Sequence, residues 1–180
     1  MKAIPNWAKK LDWYLIQKKA LKYGLDQNLV AAVIQVESAG NPFAIRYERN
    51  YRWTFNVNML AQDIGCTADT MEQMQKTSYG LMQVMGGVAY EHGLAREKDY
   101  DYRWPTSLIM PEMGVEYGCR HLKAKQRVHG DDPARIYAAY NAGSAIKTDG
   151  GLYINQRAVD RFYAFYLELR DADNKATDVP

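Results

Sequence analysis

The segment Val33-Ile34-Gln35-Val36-Glu37-Ser38-Ala39-Gly40 sets a carboxylic acid where a helix least favours its anion. Leu29, Val30, Val33 and Ile34 recur at helical spacing, and Glu37, one turn beyond Val33 and Ile34, falls on the same apolar face. Gly40 reads as the C′ residue of this helix, which puts Glu37 in the last turn, beside the negative end of the helix dipole and its unpaired carbonyls. Burial and the dipole both act to raise a carboxyl pKa. That is the condition for a group that must hold a proton near neutral pH and deliver it in a transition state. Position alone therefore suggests a general acid. The alternative is a glutamate turned to solvent or paired with a basic residue, because ion pairs also perturb titration.

Two later stretches carry polar and aromatic groups suited to a ligand cleft: Tyr79-Gly80-Leu81-Met82-Gln83-Val84-Met85 and Ala138-Ala139-Tyr140-Asn141-Ala142-Gly143. An Asn-Ala-Gly turn after a helix is by itself ordinary termination. Together with Glu37-Ser38 and Gly40-Asn41-Pro42, and in this order, the three stretches resemble the soluble lytic transglycosylase (SLT) family. The resemblance spans residues 23 to 170. It implies a mainly α, lysozyme-like helical fold of the SLT and goose-lysozyme type. It also implies cleavage of the β-1,4 bond between N-acetylmuramic acid and N-acetylglucosamine in peptidoglycan.

Position by position, the resemblance makes Glu37 the catalytic acid and Ser38 a residue that contacts substrate. Gln83 becomes the cleft-lining glutamine of the Gly-Leu-Met-Gln motif, with Leu81 and Met82 packing a helix start. Tyr140 becomes the tyrosine whose hydroxyl lies close to the acid, and Asn141 a support of the cleft. Tyr153 answers to a family tyrosine before the last helix, in surroundings that fit loosely. The implied mechanism has Glu37 protonate the glycosidic oxygen and then take a proton from the C6 hydroxyl, which closes onto C1 as a 1,6-anhydromuramic end. It needs no metal, no cofactor and no second carboxylate, unlike the usual glycosidase pair.

The chain departs from the family pattern between Asn41 and Tyr79, where the family has a short gap. This insertion carries Arg46-Tyr47-Glu48-Arg49. Glu48 is therefore a candidate second carboxylate for a muramidase, a lysozyme-type hydrolase, with Asp63 a weaker one; the alternative for Glu48 is an ion pair with Arg46, Arg49 or Arg52. Tyr47, Tyr51 and Trp53 either wall sugar sites or cover the core. A catalytically silent wall-binding or virion domain is a third reading, and the intact Glu37, Gln83, Tyr140 and Asn141 speak against it.

The elements that must position these groups are helical. Trp7, Leu11, Tyr14, Leu15 and Leu21 keep helical spacing until Gly24, and Asp26 is an N-cap for the helix carrying Glu37. A short helix is expected from Thr67, another after Tyr79-Gly80 as far as Gly93, a long one from Pro111 to Gly130, and one opening at Asp132-Pro133. The last is expected from Tyr153 or Asn155 to Arg170, with Phe162, Phe165, Tyr166 and Leu169 on its apolar side. Strand patterns are scarce, and the 45–56 stretch is the one place for a small hairpin. The expected organisation is one catalytic domain over 1–172, an insertion lobe over 43–78 and a flexible tail over 173–180.

Composition narrows the partners. The chain has 180 residues, enough for one sizeable core, and 23 basic against 21 acidic residues leave a net charge of +2. That charge is too weak to argue for nucleic acid. Fourteen Tyr and four Trp suit clefts for sugars or other part-polar, part-flat ligands; the partner that the resemblance implies is the glycan strands of peptidoglycan. Cys66 and Cys119 stand in no metal or redox spacing and read as free, buried thiols. The N-terminus runs from Trp7 into Lys9, Lys10 and Asp12 without a signal-peptide core or membrane span. The expectation is a chain made in the cytoplasm and brought to the wall by holin-type release, virion delivery or a secretion machine. Modest net charge and the lack of a heptad pattern point to a monomer, and the lack of an apolar span to no stable membrane insertion.

Overall fold

The computed structural model describes residues 4–177, with side chains through 174. The chain divides into two compact units, one made of Met1–Gly40 with Cys119–Pro180 and the other of Asn41–Gly118. Each is built mainly of helices, and no helix among the described residues is long and apolar enough to cross a membrane.

The first unit is built around a helix enclosed on every side. Helix α1 spans Trp13–Tyr23 and α2 spans Gln27–Ser38. Asp12 caps α1 by accepting from the Leu15 N–H at 3.0 Å, and Asp26 caps α2 by accepting from the Asn28 N–H at 2.9 Å. Along α2 the run from Asn28 to Ile34 is buried without a break. Seven consecutive residues cover all faces of a helix with 3.6 residues per turn, so α2 is a core helix rather than an amphipathic one. It emerges at Gln35, and Glu37 sits where the buried helix reaches the surface. The expected single helix from Trp7 is broken: Asn6–Lys10 is a separate 3-10 turn, because Asp12 starts a new helix. The face α1 buries is Leu15, Ile16, Lys19 and Ala20, while Tyr14 and Leu21 are exposed.

In the same unit, α7 spans Pro133–Ala142 and α8 spans Gln156–Thr177, and α8 packs against both α2 and α7. Asp132 caps α7 through the N–H groups of Ala134 and Arg135, with Pro133 at the first helical position. On α8, Phe162, Tyr166 and Leu169 are buried as the spacing predicts, and Phe165 meets Trp7 edge-on at 5.0 Å. Helix α8 runs beyond Arg170 to Thr177, so residues 173–177, expected as tail, are helical. Asp173 accepts from the buried Asn28 amide at 2.8 Å, which anchors that stretch. Residues 178–180 lie outside the described residues.

The second unit holds the strands. Strand β1 (Ile45–Tyr47), β2 (Thr77–Tyr79) and β3 (Val84–Met85) form an antiparallel sheet in the order β1-β2-β3, with Ile45 opposite Tyr79 and Tyr79 opposite Val84. The expected hairpin within 45–56 is therefore replaced by pairing of β1 with a distant strand. The expected helix after Gly80 starts only at α5 (Gly86–Glu91), because Gly80–Gln83 forms the β2–β3 turn. Helices α3 (Val57–Ile64) and α4 (Ala68–Gln75) precede β2, and Thr67 caps α4 as expected. The wholly buried Gln75 clasps the Phe55 backbone, accepting from its N–H at 2.5 Å and donating to its carbonyl at 2.8 Å. The chain returns through α6 (Pro111–His129), whose residues from Cys119 belong to the first unit. Cys119 is buried as expected, whereas Cys66 is only half-buried; neither forms a disulfide.

Candidate active site

In the first unit one carboxylate oxygen collects two donors from one face of α7. Tyr137 and Asn141 lie one turn apart on that helix. The Tyr137 hydroxyl donates to Glu37 Oε1 at 2.9 Å, and the Asn141 amide Nδ2 donates to the same oxygen at 3.3 Å. Glu37 is half-buried at the end of α2. Ala39 is the cap residue, left-handed at φ 53°, and Gly40 follows it at C′ with φ 78°, the position the spacing gave it. Glu37 stays in the last turn, so the dipole argument is unchanged. Two donors on Oε1 use its lone pairs and place a proton, when the acid carries one, on Oε2.

Tyr137 is the residue that sequence reasoning missed. It is wholly buried, stacked on Phe162 at 4.4 Å and 12° and on Tyr140 at 6.5 Å and 19°. An aromatic on the apolar side of a helix reads as core, and only its spacing of four from Asn141 could have pointed to the acid. Tyr140, the expected neighbour of Glu37, lies close enough to feel its charge. Burial first, and then the Glu37 carboxylate, push the Tyr140 hydroxyl well above its ordinary pKa. It therefore remains a neutral phenol at physiological pH, able to donate but not to act as a base. The His121 ring leans on it at 5.1 Å.

Asn155, directly before α8, was also missed. Its Nδ2 donates to Asn141 Oδ1 at 2.9 Å and to the Ala138 carbonyl at 3.2 Å, which ties the start of α8 to the end of α7. Among the other expected residues, Ser38 turns its hydroxyl to the helix end, donating to the Ile34 carbonyl and accepting from the Gly40 N–H, each at 3.2 Å. Tyr153 bridges to Lys147, whose ammonium lies 4.9 Å from its ring centroid. Its hydroxyl pKa is raised by burial and then by Asp132, with Arg135 opposing. Those charges stand at the start of α7, whereas Glu37 is held from its later turns.

Gln83 and Glu48 belong to the second unit. Gln83 takes a left-handed backbone (φ 47°) in the β2–β3 turn. Its amide accepts from Ser78 Oγ at 2.9 Å and donates to the carbonyls of Ala44 at 2.9 Å and Gly80 at 3.0 Å, so its side chain locks the turn to β1. Met82 is buried against Gly118, and an added Cβ there would collide with its sulfur. Glu48 is ion-paired with Arg46, one of the three arginines the sequence offers it. Tyr47 and Trp53 are exposed and do not cover the core. Among the described residues no cluster of three His, Cys, Asp or Glu side chains could hold a metal ion.

The arrangement lets a reaction in which Glu37 donates a proton be read through Tyr137. Its hydrogen bond favours the carboxylate over the acid. Tyr137→Phe keeps the ring stack but removes this donor, so Glu37 holds its proton to higher pH and the basic limb of the pH–rate profile moves up. The maximal rate falls roughly tenfold, because a hydrogen bond to a charged group is lost as charge develops. Rates measured across pH, with melting to show an unchanged fold, test this.

No curated protein matches the chain. The family model described as "Transglycosylase SLT domain" matches residues 14–158, a stretch that holds Glu37, Gln83, Tyr137, Tyr140, Asn141 and Asn155. With most of its length covered by that model and a mainly helical architecture around the acid, the chain belongs to the transglycosylase SLT domain family, whose general activity is transglycosylase-type degradation of peptidoglycan.

Proposed function

We propose that the protein is a lytic transglycosylase with Glu37 as its single acid and base, acting on the glycan strands of peptidoglycan. The observation that carries this reading is the pair of donors on Glu37 Oε1 from Tyr137 and Asn141. Protonated Glu37 gives its proton to the glycosidic oxygen as the bond to the muramic C1 breaks. The anion left on Glu37 then meets two hydrogen bonds already in place, which need no rearrangement at that moment. The carboxylate next takes the proton of the C6 hydroxyl, and O6 closes onto C1. Atoms and charge balance without water, and Glu37 returns to its protonated form.

The ion pair between Glu48 and Arg46 supports this one-carboxylate route over hydrolysis, since the candidate second carboxylate is engaged by a guanidinium. Mass spectrometry of muropeptides released from purified peptidoglycan tests the proposal. Products ending in 1,6-anhydromuramic acid, lighter by one water than reducing ends, are expected. Reducing muramic ends would replace the proposal with a hydrolase, and no release would return it to a binding domain.

A further inference from the structure

We infer that Asn155 is a positioning residue for Glu37, acting through Asn141; the inference rests on Glu37 being the acid. It begins from the polarity of a hydrogen-bond chain. The Ala138 backbone carbonyl can only accept, so the group Asn155 turns toward it must be the amide nitrogen. The same nitrogen reaches Asn141 Oδ1, which obliges Asn141 to turn its own nitrogen outward, to Glu37 Oε1. A backbone carbonyl thus dictates, through two amides, that a donor rather than an acceptor meets the carboxylate. Were Asn141 flipped, its carbonyl oxygen would face the anion and oppose it.

Two features show what this arrangement costs locally. Asn155 immediately precedes α8, and its own carbonyl accepts from the N–H groups of Ala158 and Val159 at 2.9 and 3.2 Å, the position where an asparagine side chain ordinarily caps its helix. Here Oδ1 makes no such bond and is buried without a hydrogen-bond partner, while both donors go to α7. A local preference gives way to a tertiary link, which is expected at a functional site. Asn141, for its part, is exposed on the last turn of α7, where packing does not choose its rotamer. The bond from Asn155 supplies that choice in advance.

Two substitutions separate positioning from structure. Asn155→Ser keeps a side chain able to cap α8 but too short to hold Asn141. Asn155→Asp keeps the volume and caps well but has no N–H to give. Both are compared with wild type, Asn141→Ala, each double variant and Glu37→Gln, in rate of muropeptide release across pH and in melting temperature. Either Asn155 variant is expected to lose about tenfold in rate, the worth of one hydrogen bond to a charged group. The basic limb should shift in the direction seen for Asn141→Ala, with melting close to wild type. In the Asn141→Ala background the Asn155 change is expected to cost nothing more, because the two act as one unit. A wild-type rate in both Asn155 variants, or losses that multiply with Asn141→Ala, overturns the inference. Activity retained by Glu37→Gln would instead overturn the acid assignment on which it rests.

Discussion

Glu37→Gln lowers the rate of peptidoglycan cleavage by about a hundredfold or more, the usual worth of a positioned general acid, and leaves the fold intact. The amide keeps the shape of the acid at the end of α2. Its oxygen can still accept from Tyr137 and Asn141 where Glu37 Oε1 does now. What it lacks is a proton it can give up. Leu29 to Ile34, which hold α2 in the core, are untouched, so stability should change little. Muropeptide release and thermal melting on the same preparations check both halves; a variant with more than about a tenth of the wild-type rate would be incompatible with acid catalysis of the usual size.

Gly80→Ala is expected to cost about 3 kcal/mol or more, the sum of a left-handed backbone for an L-residue and overpacking against rigid neighbours. A Cβ at Gly80 would lie 2.1 Å from the Leu108 carbonyl oxygen, which is backbone and cannot swing aside, and the residue sits at φ +73°. Its N–H donates to the Ala44 carbonyl at 2.8 Å, and Ala44 also accepts from the Gln83 amide, so the whole β1–β2–β3 arrangement converges on this turn. Gly65→Ala is the matched control: φ is +76° there, but nothing lies within 4 Å of the added carbon. It should show the backbone cost alone, about 1–2 kcal/mol. Urea denaturation of both variants separates the two contributions, and equal losses would refute the steric part.

The glycine of the Gly-Leu-Met-Gln stretch was readable as a motif residue, but its reason was not. A sequence pattern says that a turn residue stands at Gly80; the Leu108 carbonyl that excludes a side chain lies 28 positions further on. The helix expected to start there failed for a related reason. Strands of two and three residues, such as β3 and β2, are too short to impose a period of two on the sequence. Their pairing with β1 comes from contacts across the insertion.

By itself the sequence determined the elements whose causes are local. Asp26, Thr67 and Asp132 cap helices because their side chains reach the first free N–H groups, and the apolar spacing of α2 and α8 marks them as core. The same locality placed Glu37 in the last turn of a buried helix, and the ordered motifs pointed to the SLT family. Which groups meet the acid was decided by tertiary structure alone. Helical periodicity names a face but not the face opposite it. Tyr137 and Asn141 reach Glu37 across about a hundred residues of chain, and Asn155 is turned toward them by the Ala138 carbonyl instead of capping its own helix. A hydrogen bond depends on distance and direction in space, and only packing α2, α7 and α8 together supplies both.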